Sequence, residues 1–189
     1  MTAQDQARLR NILVRRYVEP EPVIVLGTQE LFASPELTGF KTGVTVSDPV
    51  NGVSNPFAIP GAIVEYEIRV VNGGAGTVDL DSLIITDALP AQLQLLVIDT
   101  APGSGPVQFI DGPGSSASGL NLSFGGLNST TDDIDFSIDG VDYTYVPVAD
   151  ANGGDPAVTF LRINPGGAMQ PASGGGETFF SVRYRMRVP

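Results

Sequence analysis

The alternation of apolar and polar residues is clearest between Ile63 and Val71. One set of alternating positions includes the charged residues Glu65, Glu67 and Arg69. The other set is apolar or aromatic and comprises Val64, Tyr66, Ile68 and Val70. A period of two is typical of a β-strand that has one buried face and one face toward water. The pattern therefore predicts a half-buried strand over this stretch.

A glycine-rich segment follows this strand. Asn72-Gly73-Gly74 is predicted to end it, because these residues adopt left-handed backbone angles at little cost. A second apolar run extends from Leu80 to Leu89 and stops at Pro90. The order strand, turn, strand is typical of antiparallel sheets.

A second pair of strands is predicted between Asp133 and Val148. Asp139-Gly140 has the composition of a two-residue hairpin turn. Such a turn would pair Phe136 with Tyr143, and would place the apolar residues of both strands on one face. The pattern predicts a hairpin in this register.

The end of the chain alternates again. Arg183, Arg185 and Arg187 fall on one face of a predicted strand from Phe179 to Val188, opposite an apolar set. We expect these arginines to balance acidic residues on neighbouring strands. They are also candidates to bind an anionic partner or glycan.

Short apolar runs separated by turn residues make up the rest of the chain. With 23 glycines and 15 prolines in 189 residues, turns are frequent, and no helical pattern separates the strands. The fold class predicted is all-β: an antiparallel β-sandwich of immunoglobulin-like or jelly-roll type with an extended N-terminal arm. We place the arm at residues 1–40 and the sandwich domain at residues 41–189.

The arm differs from the body in charge and in pattern. Residues 1–16 carry four arginines against Asp5, a formal +3, which leaves −14 for residues 17–189 given the net charge of −11. A β-branched apolar run, too short for a helix, follows two prolines. This run consists of Val23, Ile24, Val25 and Leu26.

Two interpretations of the arm are open. In the first interpretation, the arm is a strand of its own sheet or a simple tail. In the second interpretation, the arm is a strand donated to a second subunit. Donation would make Val23, Ile24, Val25 and Leu26, together with Arg15 and Arg16, a subunit interface.

The composition argues against several classes of function. A charge of −11 disfavours nucleic acid and anionic membranes as partners, and no apolar run approaches the ~18 residues of a membrane span. The chain has no histidine and no cysteine, which removes the commonest general base and the best nucleophile. We predict that the protein is not an enzyme, with no catalytic residues and no organic cofactor. Residues 1–16 also lack the apolar core of a secretory leader.

Aspartates cluster around the predicted hairpin. Asp133, Asp135 and Asp142 would share its exposed face, and calcium takes oxygen ligands from such segments. The spacing does not match an EF-hand loop. Calcium at these three residues is therefore one hypothesis, and the other is that the carboxylates simply keep the strands soluble.

Four stretches resemble a family of bacterial extracellular proteins. They are SDPVNGVSNPFAIPGAIVEYEIRVVNGG with ITDALP, the segment from Ser129 to Gly167, and the ending FFSVRYRMRV. Together they resemble the immunoglobulin-like conserved repeat domain of prokaryotic surface and cell-wall proteins, over residues 41–188. The resemblance implies a secreted sandwich used in adhesins, stalks and envelope structures, and implies no catalytic residues. This chain differs in having a basic arm in place of a leader and a single module in place of a tandem array.

The function expected is that of a structural subunit of a secreted extracellular filament or surface assembly. Copies of the chain would join head-to-tail, each donating its N-terminal arm as a β-strand to the next. Two alternatives are a monomeric surface adhesion domain that binds calcium or glycan, and a decoration protein of a virion or other particle.

Overall fold

The computed structural model of the chain describes residues 33–189, and in this range the protein is built of β-strands. The only helical element there is a single 3-10 turn at Gly114–Ser116, so no described helix is long and apolar enough to cross a membrane. The strands β1 to β9 are Leu37–Ser47, Ile63–Asn72, Ile85–Ala88, Gln94–Leu96, Val107–Asp111, Ile134–Ser137, Gly154–Asp155, Phe160–Ile163 and Thr178–Arg187.

The strands form two antiparallel sheets. The larger sheet has six strands in the order β1-β2-β9-β4-β7, with β5 also paired to β9. The smaller sheet has three strands in the order β3-β8-β6. Side chains from both sheets form one apolar core. The predicted all-β antiparallel sandwich is confirmed.

The two long alternating segments form the central pair of the larger sheet. β2 and β9 pair over their whole lengths, from Ile63 opposite Arg187 to Asn72 opposite Thr178. The inward set on β9 is fully buried and consists of Phe180, Val182, Tyr184 and Met186. Burying a large apolar side chain contributes about 1.5–3 kcal/mol, so these four residues are a main source of stability.

The arginines of β9 lie on the outer face, as predicted. Arg183 pairs with Glu67 at 2.7 Å and Arg185 pairs with Glu65 at 2.9 Å, both across the β2–β9 ladder. Their opposite charges sit on directly facing positions of the ladder. These ion pairs are partly exposed, so each adds little to stability but favours this register.

The strand ends at Asn72, as predicted, but the glycines that follow it serve a different purpose from the one predicted. Gly73 and Gly74 do not adopt positive φ angles. Instead the chain entering β1 lies directly against them: a Cβ on Gly74 would be 2.4 Å from the carbonyl oxygen of Ser34. Gly76 is in the same position relative to Ala33. Glycine is required here because two backbones approach closely.

Asn72 links the chain that enters β1 to the glycine segment after β2 and to Gln170. It is fully buried, and its Oδ1 accepts the backbone N–H groups of Gly74 and Glu36. Its Nδ2 donates to the carbonyl oxygens of Gly76 and Gln170 at 2.9 and 3.0 Å. One side chain thus satisfies four backbone groups from three segments of the chain.

The predicted hairpin register is wrong by two residues. Phe136 faces Tyr145 in an isolated bridge, in place of Tyr143. The Asp139 carboxylate accepts the N–H groups of Val141 and Asp142, which lowers the pKa of Asp139 and makes the connection longer than a two-residue turn. The main partner of β6 is β8.

The first strand begins at Leu37, four residues before the predicted start of the sandwich domain. The domain boundary therefore stays a prediction. Arg15, Arg16 and the run Val23–Leu26 lie outside the described residues, so both interpretations of the arm stay open.

Asn72→Ala is expected to destabilise the protein by roughly 2–4 kcal/mol, because buried backbone donors and acceptors lose their partner. Urea unfolding followed by fluorescence or circular dichroism measures this. Asn128→Ala, at an exposed loop position, is the matched control and should leave the midpoint nearly unchanged. Equal midpoints for the two variants would contradict the proposed role of Asn72.

Candidate functional site

The edge of the larger sheet formed by β1 is the most prominent exposed feature of the fold. Within residues 33–189, β1 pairs only with β2, so its other edge presents backbone N–H and C=O groups. The strand has eleven residues, and the first eight are exposed. A long exposed edge is a template for another strand.

The side chains of β1 protect this edge only in part. Phe40 and Val44 are 55% and 60% exposed and lie on the outer face, opposite Arg69 and Glu65 of β2. Between Leu37 and Ser47 there is no proline and no acidic residue. Proteins usually block edge strands with charges, proline or bulges. In β1 these devices are limited to the inward-pointing Lys41 and a register shift between Thr45 and Ser47 at the end of the strand, so most of the edge is open to strand addition.

The one charged residue of β1 points inward. The Nζ atom of Lys41 lies 2.6 Å from Oδ1 of Asp87 in β3, and the Tyr184 hydroxyl donates to Oδ2 of Asp87 at 2.5 Å. Lys41 also lies 5.0 Å from the centre of the Tyr66 ring, which stacks on Tyr184. The cluster fastens the edge strand to the opposite sheet.

Burial keeps the Tyr184 phenol protonated. Burial, with the neighbouring Asp87 carboxylate as a further cause, raises the pKa of Tyr184 far above its ordinary range. The phenol therefore stays protonated at neutral pH and donates its hydrogen bond to Asp87. Gly43 adds a steric constraint, since a Cβ there would be 2.8 Å from the Tyr66 ring. Together these contacts hold β1 in a single register.

The chain enters β1 in line with the β1–β2 ladder. The N–H groups of Gly73 and Gly76 donate to the carbonyl oxygens of Glu36 and Ser34 at 2.9 and 3.0 Å. Residues 33–36 thus continue the ladder past the end of β2. The preceding 32 residues join the body at this end of the sheet.

A rigid loop lies at the opposite end. The Asp48 carboxylate accepts the backbone N–H groups of Val50, Asn51 and Phe57 at 2.6–2.7 Å. These bonds, with that from Asn51 the largest cause, lower the pKa of Asp48 to about 2. The loop holds Val50, Val53 and Phe57 in exposed positions.

An apolar groove of about 420 Å³ adjoins this loop on the larger sheet. It is lined by five aliphatic side chains, with Arg185 and Asp99 among its polar residues. The aliphatic residues are Val46, Val53, Ile63, Leu96 and Ile98. Val53 and Ile98 are exposed and Leu96 is buried at the base of the sheet, so the groove offers apolar surface to a binding partner.

The three aspartates proposed for calcium each have separate surroundings. Asp133 accepts the N–H and hydroxyl groups of Ser123, and Asp135 pairs with Arg162 at 2.9 Å. Asp142 is exposed beside the Asp139 turn. In the described part of the chain, no three acidic side chains come together to hold a metal ion. The structure gives the calcium hypothesis no geometric support, and it stays a prediction.

The edge residues Leu37 and Phe40 were not singled out from the sequence, because they fell within the predicted arm. The available signal was the uninterrupted, proline-free stretch from Leu37 to Ser47. The Asp48 loop also had a signal, since aspartate followed by proline favours a turn held by the aspartate side chain.

Comparison of the chain with protein-family models, curated proteins and solved structures found no match. The resemblance to the bacterial surface repeat therefore stays a prediction, as do the predicted absence of enzymatic activity and the extracellular location.

Lys41→Met is expected to lower stability by about 1–3 kcal/mol, because it leaves the Asp87 carboxylate buried without its cation. The loss of stability is modest because Lys41 is one-third exposed and water screens its charge. Urea unfolding measures the change. The double variant Lys41→Met with Asp87→Asn should recover part of the loss, and strictly additive losses would show that the pair does not interact.

Asp48→Ala is expected to destabilise the protein at neutral pH but much less at low pH. The folded-state pKa lies below the ordinary value of 3.8, so the contribution is present above about pH 4 and is lost as the pH falls through about 2. Unfolding curves of wild type and variant between pH 7 and pH 2 measure the difference. Val53→Ser, a loop change without a titrating group, should differ from wild type by a constant amount, and a constant difference for Asp48→Ala would contradict the assignment.

Proposed function

We propose that the chain is the structural subunit of a secreted extracellular filament or surface assembly, in which each copy donates its N-terminal arm as a β-strand to the next. The observation that carries the proposal is the β1 edge, which is eleven residues long, exposes Phe40 and Val44 on its outer face and has no strand partner in residues 33–189. Strand addition to such an edge supplies affinity through backbone hydrogen bonds and register through alternate side chains.

The arm is long enough to reach a neighbour. Thirty-two residues precede the described range, and an extended chain spans about 3.3–3.6 Å per residue, or roughly 100 Å at most. The acceptor edge is about 36 Å long at the rise of a β-strand. Residues 33–36 place the start of the described chain at one end of this sheet.

The charges of the two parts favour their association. Residues 1–16 have a formal charge of +3 and residues 17–189 have −14. Attraction between the basic start of one copy and the acidic body of another would speed docking and would weaken as salt screens it. A head-to-tail contact of this kind propagates into a filament unless it closes into a ring.

Electron microscopy of the full chain beside a version lacking residues 1–32 tests the arm. We expect filaments from the full chain alone. The truncation ends before Ala33 because residues 33–36 bond to the body and Leu37 begins β1. Compact monomers of the full chain at high concentration would overturn the proposal.

A second comparison tests the acceptor edge. Val44→Lys places a charge on the edge strand and should abolish filaments or shorten them severely, because lysine on an edge strand disfavours pairing with a further strand. Val141→Lys makes the same change at an exposed valine on a distant loop and should leave assembly intact. Filaments of normal length from Val44→Lys would show that the β1 edge is not the acceptor.

A further inference from the structure

The β1 edge explains how a donated strand could pair, but the groove beside the Asp48 loop is not used by that pairing. We infer that this groove anchors the apolar run Val23–Leu26 of a neighbouring copy. The inference rests on the proposed function and names the docking point of the arm. In this arrangement the groove of one copy binds the Val23–Leu26 segment of a second copy.

The chemistry of the groove matches that run. Five of its ten lining residues are aliphatic, the other five are polar, and its volume is about 420 Å³. That volume lies at the low end of ligand pockets, which span about 300–1,000 Å³. Valine, isoleucine and leucine side chains suit such a site by size and by the absence of polar atoms. The segment Val23–Leu26 is made of these three residue types only.

The groove is preformed. Three backbone N–H groups bond to Asp48 and hold the loop that carries Val53, which is 80% exposed. At the other side of the loop, Gly61 adopts a φ of 87°, and a Cβ there would be 2.8 Å from the Pro49 ring. A site that needs no ordering on binding keeps more of the contact energy as affinity.

The groove lies at the opposite end of the sheet from the entry of the chain. Residues 33–36 lie against Gly73–Gly76, beyond the Asn72 end of β2, whereas Val46 and Ile63 lie at the other end. Thirteen residues of extended chain separate Ala33 from Val46, which corresponds to about 40 Å at ~3.3 Å per residue.

The run of one chain therefore cannot fill the groove of the same chain. Leu26 is seven residues before Ala33 and can lie at most about 25 Å from it, and Val23 at most about 36 Å, even when the chain is fully extended. The occupant has to come from a second copy. Entry at one end and the groove at the other give a head-to-tail contact, which is the polarity a filament requires.

Disulfide trapping in the full chain tests the inference directly. The sequence has no cysteine, so introduced thiols have no competing partner. Val25→Cys combined with Ile98→Cys should give, after mild oxidation, a ladder of covalent multimers on a non-reducing gel. The matched control, Val25→Cys combined with Val141→Cys, places the second thiol on an exposed loop far along the chain and should remain monomeric.

Each other outcome overturns the inference in a distinguishable way. A faster-migrating monomer would mean that the run reaches the groove of its own chain. Ladders of equal intensity in both double variants would mean unspecific contact. Filaments in the microscope without a ladder from the Ile98 pair would place the anchor elsewhere and leave the proposed function standing. If neither filaments nor a ladder form, the proposed function fails together with the inference.

A substitution in the groove gives an independent measurement. Val53→Asp should abolish the ladder of the trapping pair and reduce assembly, because a carboxylate in the groove opposes burial of aliphatic side chains. Val50→Asp, on the same loop but outside the groove lining, is the control for loop charge and should leave the ladder intact. An undiminished ladder from Val53→Asp would overturn the inference, and circular dichroism of both variants verifies that the fold is retained.

Discussion

The pairing of β9 along both of its edges is the constraint on which the rest of the structure depends. β2 pairs with one edge over ten positions, and β5 and β4 share the other. The inner face of β9 is fully buried from Phe180 to Met186. Because β9 is formed by the end of the chain and β2 by its first half, the sheet forms only through contacts distant in sequence. Such topologies fold slowly, since loop closure precedes the gain in contact energy.

This central pairing also decides which edge stays open. On the β9 side the larger sheet continues through β4 to β7, and β5 covers the remaining length of β9. On the β2 side the sheet stops at β1 within the described residues. The Lys41–Asp87–Tyr184 cluster holds that strand in place from the core side. These contacts fix the positions of the backbone groups along the edge. A strand that docks on the edge needs backbone groups in fixed positions.

The two ends of the larger sheet differ in a way that gives the molecule direction. At one end the entering backbone crosses the glycines after β2 and is held by Asn72. At the other end Asp48 supports a loop beside an aliphatic groove. The described chain therefore enters the larger sheet at one end and has its groove at the other, which gives the sheet a direction.

The sequence by itself determined the all-β class and the buried faces of β2 and β9, because alternation of side chains along a strand is a local property that two adjacent residues already express. It also indicated the pairing of the β9 arginines with acidic neighbours. Only the tertiary structure decided that Gly74 and Gly76 serve a close backbone approach, that Phe136 faces Tyr145, and that Asp135 is occupied by Arg162. These features depend on segments far apart in the chain. A local pattern carries no information about which distant residue will contact a given position. The open β1 edge and the groove belong to the same class, since whether a strand has a neighbour is settled by the whole sheet and not by the strand.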